Sequence, residues 1–501
     1  MAVYSDYSRD RIGWFFGLTG PQLGVLGAAA LPVFIAVNRQ QWSLAGSLIL
    51  AWAALLVLVA VPIRGRSLTG WLVAWSAFTL ARVAGWSRFR SRARVGKTRD
   101  LAEVDLPGVL SGVVIHDGPP SGPAQARVAI IQDHAAHTWA VTAAITHPGV
   151  GMADGNQRAG YGTGLADLLD GCLRTELIDE VLFIVRTVPD DAAERHLWSQ
   201  RHRRPDAPAL AAAISDQLTA GLAAASVRTE AFVTIVVPES RLSREAREFG
   251  RGIDARARVL LQLMGEVEAQ LRSGFGATSV AWLTSPELAL AVRTGFASTE
   301  RAGIIEAQAA AVTDPGVEAS IPWAQAGPGV AQANGRHYSH DAWRSVSATL
   351  KLPDRGAALG ALAPVLVPTE PGERRSLLVA FPLLAQPSAD RQTANAEWTA
   401  DMADAVRAKA GIRSRARQRA EHAKAHGLDD KLAHGNALTR PYAVSTVTVP
   451  RPSAINEAGR RLDASIRRAG FAPLRLDLAH DLGFAVSTIP LGASLTRKAY
   501  R

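Results

Sequence analysis

The amino-acid sequence predicts a membrane helical hairpin followed by an α+β cytoplasmic body, the body being a tandem repeat of α+β sandwich units. Three observations lead there. Two uncharged apolar stretches stand back to back near the N-terminus, an arginine-rich run follows them, and strand and helix periodicities then alternate, with segments of the first half recurring in the second.

Ile12 to Asn38 is 27 residues without a charge, and Gln40 to Ile63 is 24. Each exceeds the roughly 20 residues that a helix needs to cross hydrocarbon. Only Arg39, Gln40, Gln41 and Trp42 separate their apolar cores, so residues 1–66 read as a two-helix transmembrane hairpin with Trp42 at an interface. A cleaved signal peptide would lead into a polar mature start, whereas here a second span follows. Two buried core helices are the alternative reading.

Charge sets the orientation. Residues 1–99 hold twelve basic and two acidic side chains, leaving 43 of each among residues 100–501. The body is therefore electroneutral, and the net charge of +10 gives no reason to expect a nucleic-acid-binding body. Arg64 and Arg66, placed directly after the second stretch, put both termini and the main body in the cytoplasm, as a multi-pass protein of the inner or plasma membrane. Residues 67–104 then read as an interfacial helix and basic collar. Trp71 and Trp75 lie at the headgroups, and Arg88, Arg90, Arg92 and Arg94 face an anionic leaflet. A third span over 67–81, a solvated linker, and direct nucleic-acid contact through 82–99 are the alternatives.

In the body, residues 105–297 form the first α+β unit. Strands are expected at 126–133, 138–146, 180–187, 228–237 and 278–283, with helices at 165–177, 209–224, 242–272 and 286–293. The Asp117-to-Pro123 stretch reads as a turn, and 149–164 as a glycine-rich turn. A linker at 298–334 leads to the second unit, 335–501, which includes a long helical arm over 389–426. The repeat rests on "DHAAHTWAVTAAIT" against "RHYSHDAWRSVSATL", "TIVVP" against "VTVP", and Gly274-Phe275 against Gly470-Phe471.

Candidate chemistry thins out on inspection. Gly96-Lys97-Thr98 lacks the first glycine of a phosphate loop, since Ser91 stands in its place. Gly160, Gly162 and Gly164 do not have dinucleotide-binding spacing. His134 with His137, and His337 with His340, are three apart, yet no Cys or acidic pair is placed to complete a tetrahedral metal site. His116 with Asp117, and Asp190 with Asp191, have no nucleophile beside them, and the lone Cys172 sits in an apolar helical pattern. No catalytic, metal or cofactor-binding residue is assigned, and a non-enzymatic protein is expected.

The hairpin, its arginine-rich exit, "LPGVLSGVVIHDGPP" (106–120), "IQDHAAHTWAVTAAITHPG" (131–149) and "RTEAFVTIVVP" (228–238) resemble actinobacterial EccE-like membrane proteins. These comprise the E component of type VII (ESX) secretion and its conjugation-associated relatives. The resemblance implies a scaffold for protein transport, anchored in the lipid bilayer and docking other secretion or conjugation subunits through its cytoplasmic body, with no catalytic residues to carry over. A linker coupling a separate transport ATPase to a type IV-like DNA-transfer channel is the alternative, and a membrane-bound enzyme a further one.

Overall fold

In a computed structural model, residues 3–4, 20–60, 68–123, 125–351, 357–384 and 438–496 are described. They fall into two units, Tyr7–Trp86 and the remainder. The helical arm expected over 389–426 lies outside the described residues, as do Arg64 and Arg66.

The described residues of the Tyr7–Trp86 unit form three helices, α1 (Gly20–Asn38), α2 (Trp42–Ala60) and α3 (Leu68–Val83). Gln40 adopts a left-handed backbone (φ 56°) that ends α1 and starts the turn into α2. The two helices pack through Leu26 and Val59, and the Trp52 indole donates to the Leu26 carbonyl at 2.9 Å. Among the described residues no helix is long and apolar enough to cross a membrane. Among the described residues the uncharged stretches supply helices of 19 residues each. Of these, α1 carries Pro32 inside, which removes one backbone donor from the helix. The membrane hairpin, the bilayer as partner, and the multi-pass location with cytoplasmic termini are corrected on this ground.

In the larger unit, β1 (Val3–Tyr4) pairs with β12 (Ala357–Ala358), and the other strands form one 13-stranded sheet. These are β2 (Arg88–Arg90), β3 (Val113–Ser121), β4 (Ala126–Asp133), β5 (Thr138–Thr146), β6 (Glu180–Pro189), β7 (Val227–Pro238), β8 (Ser279–Trp282), β9 (Val330–Ala333), β10 (Tyr338–His340), β11 (Trp343–Lys351), β13 (Arg374–Pro382), β14 (Tyr442–Pro450) and β15 (Ala472–Arg475). Along the sheet the order is β2-β9-β10-β11-β14-β13-β6-β7-β5-β4-β3, with β15 beside β11 and β8 beside β5. The expected pair of separate sandwich units is corrected here. β6 and β13 pair antiparallel from Arg375–Thr187 to Pro382–Glu180, so backbone hydrogen bonds run from one flank into the other.

The helices among the described residues of this unit are α4 (Gly155–Arg174), α5 (Ala193–His202), α6 (Ala209–Ala225), α7 (Glu239–Glu245), α8 (Ile253–Ser273), α9 (Ser285–Phe296), α10 (Arg301–Ala311), α11 (Trp323–Ala326), α12 (Ala363–Leu366), α13 (Ile455–Arg468) and α14 (His480–Thr488). Period-two alternation assigns each strand's side chains to two faces. Trp139, Val141, Val233 and Ile235 turn to α4 and α8, while Ala140, Val236, Leu182 and Leu378 turn to α9 and α14. Beyond the seam where β6 pairs with β13, Val346, Leu377 and Val447 pack on α13.

Several segments differ from expectation for local reasons. The glycine-rich stretch belongs to α4, which a capping box of Asp154 and Gln157 starts early. Gly164 serves packing, since a Cβ there would lie 2.0 Å from the Gly274 carbonyl oxygen. The expected helix over 242–272 is interrupted between α7 and α8, where Gly250 and Gly252 take positive φ. The expected turn after Asp117 continues β3 through a bulge. The segment 298–334 carries α10, α11 and β9, with Trp323 buried and its indole donating to Ser285 at 2.8 Å.

Candidate protein-docking site

Antiparallel neighbours such as β6 and β7 need only a short turn, yet here residues 190–226 intervene and form α5 and α6. The base of this excursion is fastened by ions. Arg301 donates to Asp191 at 3.0 Å and to Glu194 at 3.0 Å, Arg195 pairs with Asp190, and Ser226 donates to Asp190 at 3.0 Å. The hydrogen bond from Arg301 holds the Glu194 carboxyl below its ordinary range. Asp190 and Asp191, considered above for acid–base chemistry, are therefore parts of an anchoring cluster.

Beyond that base the chain turns apolar. Pro208 precedes the first turn of α6, and the helix is rich in alanine, the residue with the lowest intrinsic cost of helix formation. Leu210, Ile214, Leu218 and Leu222 are spaced by four and are 73%, 56%, 60% and 43% exposed. At 100° per residue they form a stripe whose far side carries Asp216, the single charge of the helix, which pairs with Arg203 at 3.2 Å. Four large aliphatic side chains in a row facing solvent mark an interaction surface far better than scattered ones would.

The residues expected at a membrane interface take the following places. Trp42 opens α2 and Trp75 lies on α3, both largely exposed, while Trp71 is half-buried. Arg88 and Arg90 stand exposed on β2, an edge strand paired with β9. Arg92 fastens a turn: its amide donates to Asp105 at 2.5 Å and its guanidinium to Glu103 at 2.7 Å. Arg94 is exposed beside Gly329. The arginines are thus divided between a strand edge and a tied turn.

The histidine pairs part company. His134 and His137 are exposed, and His137 lies 3.7 Å from Glu239. His337 is half-buried against Asn334, while His340 is fully buried, its Nε2 2.9 Å from the Ser345 hydroxyl. Burial, reinforced by Arg374, drives the His340 imidazole well below its ordinary range, so it is neutral at pH 7. His116 bonds to Gln132 and stacks on Trp139. Among the described residues no three His, Cys, Asp or Glu side chains are grouped to hold a metal ion. Burial pushes the Cys172 thiol up to about 12, which keeps it protonated and unreactive.

Charge is buried instead at the seam. Arg186 bonds Glu230 at 2.9 Å, and Arg228 takes the other carboxylate oxygen at 2.6 Å. On the opposite face, Glu373 pairs with Arg375 and, at 3.1 Å, with Arg461.

No family model matches the chain, and no curated protein matches it. Together with the helices described above, this corrects the EccE-like assignment and the role in type VII or conjugative secretion, including docking to its subunits or to a transport ATPase. The α6 stripe was not singled out in the sequence, although its signal is present there: aliphatic residues four apart with the helix's charge opposite.

Proposed function

We propose that the chain is a non-catalytic assembly protein that associates with a second copy of itself through α6. The observation that carries this is the uncharged aliphatic stripe from Leu210 to Leu222, held outward on an ion-fastened excursion of the sheet.

A second copy fits the stripe on three counts. An uncharged face meets its twin without like-charge repulsion, because Asp216 lies on the far side. A two-fold contact requires a self-complementary surface, and a single row of similar side chains is one. Rows spaced by four interdigitate at a crossing angle of about −50°, the commonest helix-packing class.

Size sets the strength. A helix of 17 residues is about 25 Å long and offers on the order of 250 Å² per copy, below the roughly 800 Å² per partner of a stable complex. The association is accordingly weak and reversible. Sedimentation velocity of the full chain, from low to high micromolar concentration, should show a monomer–dimer equilibrium that Leu218→Glu shifts to monomer. A chain monomeric throughout, or a dimer indifferent to L218E, would remove this reading.

A further inference from the structure

Beside the β6–β13 seam lies a cavity of about 10 Å³ lined by Arg186, Val188, Thr294, Arg374, Ser376 and Thr488. That is room for one water or one ion of similar size.

Its charges do not balance. Asp191 and Glu194 act on Arg228, but the carboxylate that acts on Arg374 is that of Glu230, whose two oxygens are already taken by Arg186 and Arg228. Arg374 is 5% exposed. Its terminal nitrogens reach only the carbonyls of Thr294, Gly295 and Phe296 at the end of α9, each at 3.4 Å, and its guanidinium lies 4.2 Å from the centre of the Trp343 ring. Its Nε is buried with no hydrogen-bond partner. Burial and the neighbouring Arg186 lower its pKa to about 9, so it is still a cation at neutral pH. The Ser376 and Thr488 hydroxyls lie 2.8 Å apart. One donates to the other, which leaves a second O–H proton for an acceptor.

We infer that this cavity is a binding site for a single monoatomic anion, chloride in ordinary buffers, balancing Arg374 where no carboxylate reaches. A small anion satisfies what water satisfies only in part: it supplies the missing negative charge and accepts from both guanidinium and hydroxyl.

The test uses the full chain and bromide as the probe. Crystals grown in bromide should show an anomalous peak between Arg186 and Arg374. At fixed ionic strength, replacing gluconate by chloride or bromide should raise Tm by about 2 °C, and Arg374→Met should abolish the rise. Should that variant not fold, the bromide peak in the unaltered chain still decides. An empty or water-filled cavity in bromide crystals, or the same halide response in R374M as in the parent chain, would overturn the site.

Discussion

The seam and α6 invert the usual rule of burial, and they differ in what balances them. At the seam, Glu230 bridges Arg186 and Arg228, and Glu373 bridges Arg375 and Arg461, so most of the charge finds its partner within the chain. On α6 the aliphatic side chains have solvent where a packing surface would be. Buried charge that is paired internally concerns the fold, because removing one partner leaves the other stranded in the interior. Exposed aliphatic surface with no counterpart among the described residues is where the proposed second copy would sit.

The largest effect should come from breaking the seam. Glu373→Ala strands Arg375, whose side chain is fully buried, and should cost about 3–5 kcal/mol by denaturant unfolding. A loss below about 1 kcal/mol would mean that the seam is wet and its charges uncoupled. Next comes a pair of leucines. Leu263→Ala, beneath the sheet on α8, should cost about 2–5 kcal/mol, whereas Leu218→Ala on α6 should stay within about 0.5 kcal/mol. Equal losses would show that α6 packs within its own chain.

The hydroxyl ladder on the α14 face offers a finer comparison with the apolar rows on β5 and β7. Ser347 lies 2.7 Å from the Thr446 hydroxyl, which lies 2.7 Å from that of Ser487. Ser347→Ala should cost about 1–2 kcal/mol, measured in the same unfolding experiment. The smallest effect concerns pH. His340 is neutral when folded, its imidazole pushed down by burial and by Arg374 and Arg451, while the unfolded chain protonates near 6.5. Its contribution is complete above that pH and is lost as pH falls below it, by up to about 1.4 kcal/mol per pH unit. His340→Gln should flatten the decline of Tm between pH 6.5 and 5.5. A slope remains, because burial also lowers the pKa of His337, followed by Arg344 and His480.

The body's strands were legible wherever small and β-branched residues alternate, as in "AVTAAIT" and "VTIVV", because strand periodicity reports a two-faced sheet directly. How the strands join was not. The β6–β13 pairing links residues nearly two hundred positions apart, and nothing local in "LFIVRTVP" announces which edge it meets. The N-terminal stretches misled in a different way, since absence of charge counts residues but not helix length: Pro21, Gln22 and Pro32 are uncharged, yet they weaken the span. The seam arginines were missed because arginine in a strand reads as solvated, and only the fold shows Arg186 and Arg374 facing the ends of α9 and α14. On α6 the pattern was visible, but periodic leucines read by default as a core face.

Single cysteines test the α6 contact most directly, in a chain whose own Cys172 is buried and protonated. Placed at Ile214 or Leu218, near the middle of the stripe, a cysteine meets its counterpart across a two-fold axis. Placed at Asp216, on the opposite side, it does not. Mild oxidation at micromolar concentration should give disulfide-linked dimers of Ile214→Cys and Leu218→Cys while leaving Asp216→Cys monomeric. Equal cross-linking at all three positions, or none at 214 and 218, would contradict self-association through this face.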